Sequence, residues 1–248
     1  MTGDVSWKDT IMGLTIHYSL HAEPRSEHEA RQLVERLNQA ARDLPFGQVG
    51  DVVELAGENI DASHVANDED RGWLLTQAGH WLIQDDRVAH VRPRHVIAFS
   101  TSPGPGCEAA NFGLCRYPTA VEADGQPVPT GLDGWNWQAF CKTQYASNPE
   151  DGGIENFLRC HLLVVKLLDQ AQRLGVLGHV KDESGFWDTR DVKALAETIG
   201  EWNRGLAAFV GQFKDQFGND VVAPITDYPD FEHLEADGRG EADQTEAS

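Results

Sequence analysis

Basic residues are scarce in this chain. Its 248 residues hold 20 Lys and Arg against 40 Asp and Glu, a formal net charge of −20. A surface this negative repels phosphate backbones and anionic lipid, which excludes nucleic acid and membranes as expected partners. The imbalance is steepest at the end: residues 215–248 carry ten acids and one base, Arg239.

Cysteine is sparse as well. Cys107, Cys115, Cys141 and Cys160 are the four, and no two have the close spacing of a structural zinc site. There is no HExxH, no Gly-rich loop followed by Lys-Ser or Lys-Thr, and no GxGxxG after a strand, so no motif fixes a reaction or a cofactor. Long apolar runs are missing too. The longest, residues 162–168, is interrupted by Lys166 and is too short to span a bilayer. Residues 1–10 are polar and acidic, unlike a secretory leader. The expected setting is cytoplasmic, with reduced thiols.

What is present reads as strands and helices in a definite order. Residues 14–20 alternate apolar and polar, the mark of a half-buried strand. Ser26 and Glu29 form a capping box ahead of a helix reaching about Asp43, with Ala30, Leu33, Val34, Leu37 and Ala41 on one face. A strand over 49–55 and a polar loop over 57–71 follow. Helical spacing over 73–83 predicts a helix weakened by Gly79. Strands are predicted over 95–101, 109–117 and 135–145. They are separated by Ser-Pro-Gly-Pro-Gly at 102–106 and by a turn-rich excursion over 118–129 around Asp124 and Gly125. An apolar helix over 154–174, a short strand or loop over 179–187, and a second long helix capped by Thr189 complete the ordered part.

The middle strands follow one another without helices between them, so they should pair antiparallel. The expected fold is α+β, a single domain over 11–217 with long helices on one face of a mostly antiparallel sheet. A ferredoxin-like core fits the first half. Residues 1–10 are expected as a flexible lead-in and 218–248 as an acidic, partly disordered tail.

Candidate site residues cluster around residues 135–161. The basic groups Arg116, Lys142 and Arg159, joined by Asn111 and Asn156, would suit a small anionic ligand if their side chains converge near 141–161. Cys141, Tyr145 and His161 are the candidates for chemistry there, since a thiol or imidazole beside cations can be activated. Gly152 and Gly153 ahead of a helix offer a turn whose N–H groups could meet an anion. His161, His179, Asp182 and Glu183 are the candidate ligands of a scattered metal site, which would support a metal-dependent hydrolase. The other reading is an acidic, non-catalytic module that binds a basic protein partner.

Overall fold

The computed structural model describes residues 14–23, 26–60, 69–84, 87–123, 125–217 and 223–246. The lead-in at 1–10, most of the polar loop at 57–71 and the turn residue Asp124 lie outside these residues.

Strand β1 (Thr15–Ala22) buries Ile16, Tyr18 and Leu20 and exposes His17 and His21, as the alternation requires. Helix α1 (Glu27–Arg42) starts at the predicted box, where Glu29 N donates to Ser26 Oγ at 3.2 Å and Ser26 N donates to Glu29 Oε2 at 3.0 Å. Strands β2 (Gln48–Val49) and β3 (Val53–Ala56) follow. Next come α2 (Glu69–Gln77), β4 (His80–Gln84), β5 (Arg87–Val91), β6 (His95–Ser102) and β7 (Ala110–Arg116). Strands β8 (Ala120–Ala123) and β9 (Gln126–Pro129) form a small hairpin before β10 (Trp135–Lys142). Helix α3 (Gly153–Arg173), β11 (Leu177–Asp182), the short α4 (Phe186–Thr189), α5 (Val192–Phe217) and α6 (Phe231–Glu246) end the order.

The main sheet has seven strands in the order β11-β1-β10-β7-β6-β2, with β3 also on β6. Every paired neighbour is antiparallel. Strands β10 and β11 flank β1, and α3 carries the chain between them. The ferredoxin-like arrangement expected of the first half is widened: β10, β7 and β6 separate β1 from β2.

Helices α1 and α3 touch each other over one face of the sheet. Their buried stripes meet Ile16, Leu20, Trp137, Phe112 and Phe99 in one large core. The opposite face is only half covered. Helix α2 lies over β6, and Gln77 Oε1 accepts a hydrogen bond from Asn111 Nδ2.

The seam between β7 and β10 departs from a regular ladder. Asn136 pairs with Cys115, and at the other end Glu108 N donates to Lys142 O at 3.3 Å. Between them the Asn111 carbonyl accepts from two side chains, Tyr18 Oη at 2.7 Å and Trp137 Nε1 at 2.9 Å. Tyr18 reaches it because its partner on β10 is the small Ala139.

Gly113 on β7 sits where no side chain fits. A Cβ there would lie 2.5 Å from Ala98 Cβ and 2.7 Å from the Ile97 carbonyl oxygen. The neighbour is sheet backbone, which cannot swing aside. Gly113→Ala is therefore expected to lower stability by about 1–3 kcal/mol, read as a lower urea midpoint with an unchanged slope.

Several expected elements differ in detail. The helix predicted over 73–83 is two elements. Helix α2 ends at Gln77, and Trp81, Leu82 and Ile83 belong to β4, paired with β5. Gly79 breaks the helix, and its bare Cα lets His90 close in, since a Cβ would stand 2.5 Å from His90 Nε2. The strand predicted over 135–145 stops at Lys142, and Tyr145 lies in a 3-10 turn over Gln144–Ser147. The excursion at 118–129 is the β8–β9 hairpin. Asp191, rather than Thr189, caps α5, with Oδ1 accepting from Lys193 N at 2.9 Å and Ala194 N at 3.1 Å.

Within the acidic C-terminal stretch, residues 218–222 and 247–248 lie outside those described. The part between carries α6, which packs along α5 through Tyr228, Phe231, Ala207 and Val210, with Leu234 partly buried against them. A few apolar residues spaced along an acidic stretch suffice to seat a helix.

Candidate functional site

The sheet brings some of the expected residues together and parts others. Arg116 lies at the Trp135 end of β10, its guanidinium 5.8 Å from the Trp135 ring centroid. Lys142 lies at the opposite end, its Nζ 5.0 Å from the Tyr145 ring centroid. A strand of eight residues spans roughly 25 Å, so these two cations do not share a concavity.

Arg159 and Asn156 are spent on backbone carbonyls and on each other. Arg159 Nη1 donates to Pro103 O at 3.1 Å, and its Nη2 donates to Asn156 Oδ1 at 2.8 Å. Asn156 Nδ2 donates to Pro105 O and Ala146 O at 3.0 and 2.9 Å. Together they clamp the Ser-Pro-Gly-Pro-Gly loop onto the start of α3. Gly104 is needed there because a Cβ would collide with the Arg159 guanidinium. The Gly152–Gly153 turn closes on itself, Gly152 N donating to Pro149 O at 3.2 Å and Gly153 N to Asn148 O at 2.9 Å. Neither N–H is left for an anion.

His161 and Asp182 do meet. His161 Nε2 lies 3.1 Å from Asp182 Oδ2, and both side chains are fully buried. Thr143 Oγ1 stands 2.9 Å from His161 Nδ1. Asp182 also accepts from Ser184 N at 2.9 Å, Ser184 Oγ at 2.7 Å and Trp187 N at 2.9 Å. Burial pulls the Asp182 carboxyl upward, but the bonds from His161 and Ser184 outweigh it and hold it below the ordinary carboxylate range. A hydroxyl–imidazole–carboxylate chain has the connectivity of a nucleophile and its base. Here Thr143 and His161 are sealed in the core with Phe157 and Phe186 against the imidazole, so the chain ties α3 to the turn after β11.

The expected metal set is divided by the sheet. Asp182 faces the helices, while His179 and Glu183 lie on the other face, with Glu183 bonded to Thr15 N at 2.9 Å and 3.5 Å from His17 Nε2. Among the described residues no group of three or more His, Cys, Asp or Glu is placed to hold a metal ion.

The open half of the outer sheet face holds a groove that sequence reasoning missed. Its volume is about 570 Å³, within the range of small-molecule sites. His17 and Ser19 of β1, Gln138 and Phe140 of β10, and His179 of β11 form the floor. Trp73, Thr76 and Gln77 of α2 and His80 of β4 form the wall. Trp73 and Phe140 are 57% and 47% exposed, unusual for large aromatics. His80 Nε2 is buried without a hydrogen-bond partner among the described residues, as is Asn111 Oδ1 behind Gln77. Burial, followed by the nearby charge of His90, lowers the His80 pKa, so this imidazole is neutral at pH 7.

Strand register gives the floor a sign. Residues on the outer face of β11, β1 and β10 include Lys181 beside His17, Lys142 opposite Thr15, and His21, His179 and Glu183. Two lysines and three histidines therefore share a face with Glu183, which is bonded to Thr15 N and lies beside His17, and with Glu23, 3.9 Å from His21. Lys142 and Lys181 are the cations of this face. The only cue in the sequence was the odd positions of residues 15–21, where histidines alternate with the core.

Comparison with known proteins finds no matching family model, curated protein or solved structure.

Proposed function

We propose that the protein binds a small organic anion with a flat ring in the groove between α2 and the β11–β1–β10 part of the sheet. The observation that carries this reading is the exposed pair Trp73 and Phe140 flanking a floor of imidazoles and amides, on the face that carries Lys142 and Lys181. The rings offer stacking for an apolar body. Lys181, beside His17 on the same face of the sheet, attracts the charge. The expected pocket thus moves from residues 141–161 to the outer side of β10, at 138–140, and the anionic character of the ligand is retained.

The test uses 1-anilinonaphthalene-8-sulfonate, an aromatic anion that fluoresces when shielded from water, beside N-phenyl-1-naphthylamine, which has the rings without the sulfonate. The anion is expected to bind at one site per chain and more tightly than the neutral amine. Trp73→Ala should weaken it by about tenfold, the worth of one aromatic contact of roughly 1.4 kcal/mol. Lys181→Gln should weaken the anion and leave the amine unchanged. Equal affinity for both probes would remove the anionic part of the reading. Indifference to Trp73→Ala and Phe140→Ala together would remove the site.

A further inference from the structure

Three of the four cysteines come from distant places in the sequence and meet in the fold. Cys107 ends the loop that Arg159 clamps, Cys141 sits near the end of β10, and Cys160 lies in the second turn of α3. The sulfurs of Cys107 and Cys141 are 3.8 Å apart, and Cys160 lies near enough to affect the ionisation of Cys107. Cys160 Sγ in turn lies 3.7 Å from Asn156 Oδ1 and 3.9 Å from the Arg159 guanidinium. Cys107 is half-buried, whereas Cys141 and Cys160 are fully buried. An oxidant from solvent therefore meets Cys107 first and finds a second thiol directly behind it. The fourth cysteine, Cys115, is buried elsewhere on β7.

We propose that Cys107 is an oxidation site whose sulfenic acid is resolved by Cys141 into a disulfide. The oxidant is a hydroperoxide. The Cys107 sulfur attacks its terminal oxygen, the O–O bond breaks, and water or an alcohol leaves with Cys107 oxidised to the sulfenic acid. The Cys141 sulfur then attacks the Cys107 sulfur. The S–S bond forms, the S–O bond breaks, and the hydroxide leaves as water with the Cys141 proton. Two thiols lose two electrons in total, and the peroxide gains them. Contraction from 3.8 Å to a bond of about 2.05 Å falls largely on the loop at 103–109, because Cys141 is held in a strand paired along its length with β1.

The hydrogen bonds from Cys141, together with burial and the charge of Glu108, push the Cys107 thiol up. Thiolate is the reacting form, so the reaction should run slowly at neutral pH and accelerate as pH rises. The disulfide would fasten the β6–β7 loop to β10 one residue beyond Phe140, a residue of the groove.

The test treats the folded full chain with hydrogen peroxide, blocks remaining thiols with iodoacetamide after denaturation, and maps peptides without reduction. The expected product is a cross-link between the peptides of Cys107 and Cys141, lighter by two hydrogens, with Cys115 and Cys160 alkylated. The rate at pH 9 should exceed that at pH 7 by at least about tenfold, following the thiolate fraction. Cys107→Ser, a change at a half-buried position that keeps the fold, should abolish the cross-link and leave Cys141 alkylated. A link from Cys107 to Cys160, oxidation of Cys107 to the sulfinic acid with no link, or an unmodified Cys107 would each overturn the proposal.

Discussion

Asp182→Ala is expected to be among the most destabilising single changes in this protein, lowering the unfolding free energy by about 3–5 kcal/mol. The carboxylate is buried and gathers four donors, from His161, twice from Ser184, and from Trp187. Its removal leaves the Ser184 and Trp187 backbone N–H groups without their acceptor and His161 Nε2 with only Ser184 Oγ, at 3.3 Å. Thermal or urea unfolding reads the effect directly. Asp182→Asn keeps one acceptor oxygen and should lose less.

The same carboxyl sets an acid limit. Its pKa in the folded chain lies below the ordinary value, so the unfolded chain takes up the proton first as pH falls. The stability it contributes is complete above the unfolded value of about 4 and disappears as pH drops through the lower folded value. Asp182→Asn should flatten the fall in stability below about pH 4. An unchanged acid slope in that variant would show that other carboxylates govern it.

The second large effect is expected at Trp137. The indole is fully buried, and Trp137→Ala should cost about 3–5 kcal/mol from lost burial and the cavity left behind. Trp137→Phe keeps most of the volume and isolates the hydrogen bond to the Asn111 carbonyl, worth about 1 kcal/mol. Tyr18→Phe removes the other donor to that oxygen. Burial raises the Tyr18 pKa, so its hydroxyl stays protonated and able to donate. Either loss alone leaves Asn111 one partner, while both leave a buried carbonyl with neither. The double variant should therefore cost more than the sum of the singles. Strict additivity would show that the two donors act independently.

Much of the architecture was legible in the sequence. The alternation over residues 14–20, the box at Ser26 and Glu29, and the apolar stripes of the two long helices all depend on neighbours within one turn or one pleat, and the structure carries each of them. The consecutive middle strands gave the antiparallel sheet for the same local reason. The site was less legible, because a groove depends on which strands become neighbours. His17, Phe140 and His179 lie far apart in sequence and share a floor only through the register of β1 with β10 and β11. Scarcity of cations pointed to Arg116, Lys142 and Arg159, yet scarcity says nothing of direction. Arg159 turned out to face loop carbonyls. Reading residues 73–83 as a single helix also hid α2's end at Gln77, where it forms the wall of the groove.

The seam between β7 and β10 runs between the two sides of the groove. The wall residues Trp73, Gln77 and His80 ride with β6 and β7, while His17, Phe140 and His179 ride with β1 and its flanking strands. The Asn111 carbonyl is held by the tips of Tyr18 and Trp137. The two sides of the groove are thus joined, midway along this seam, by side-chain bonds where the rest of the sheet uses its backbone.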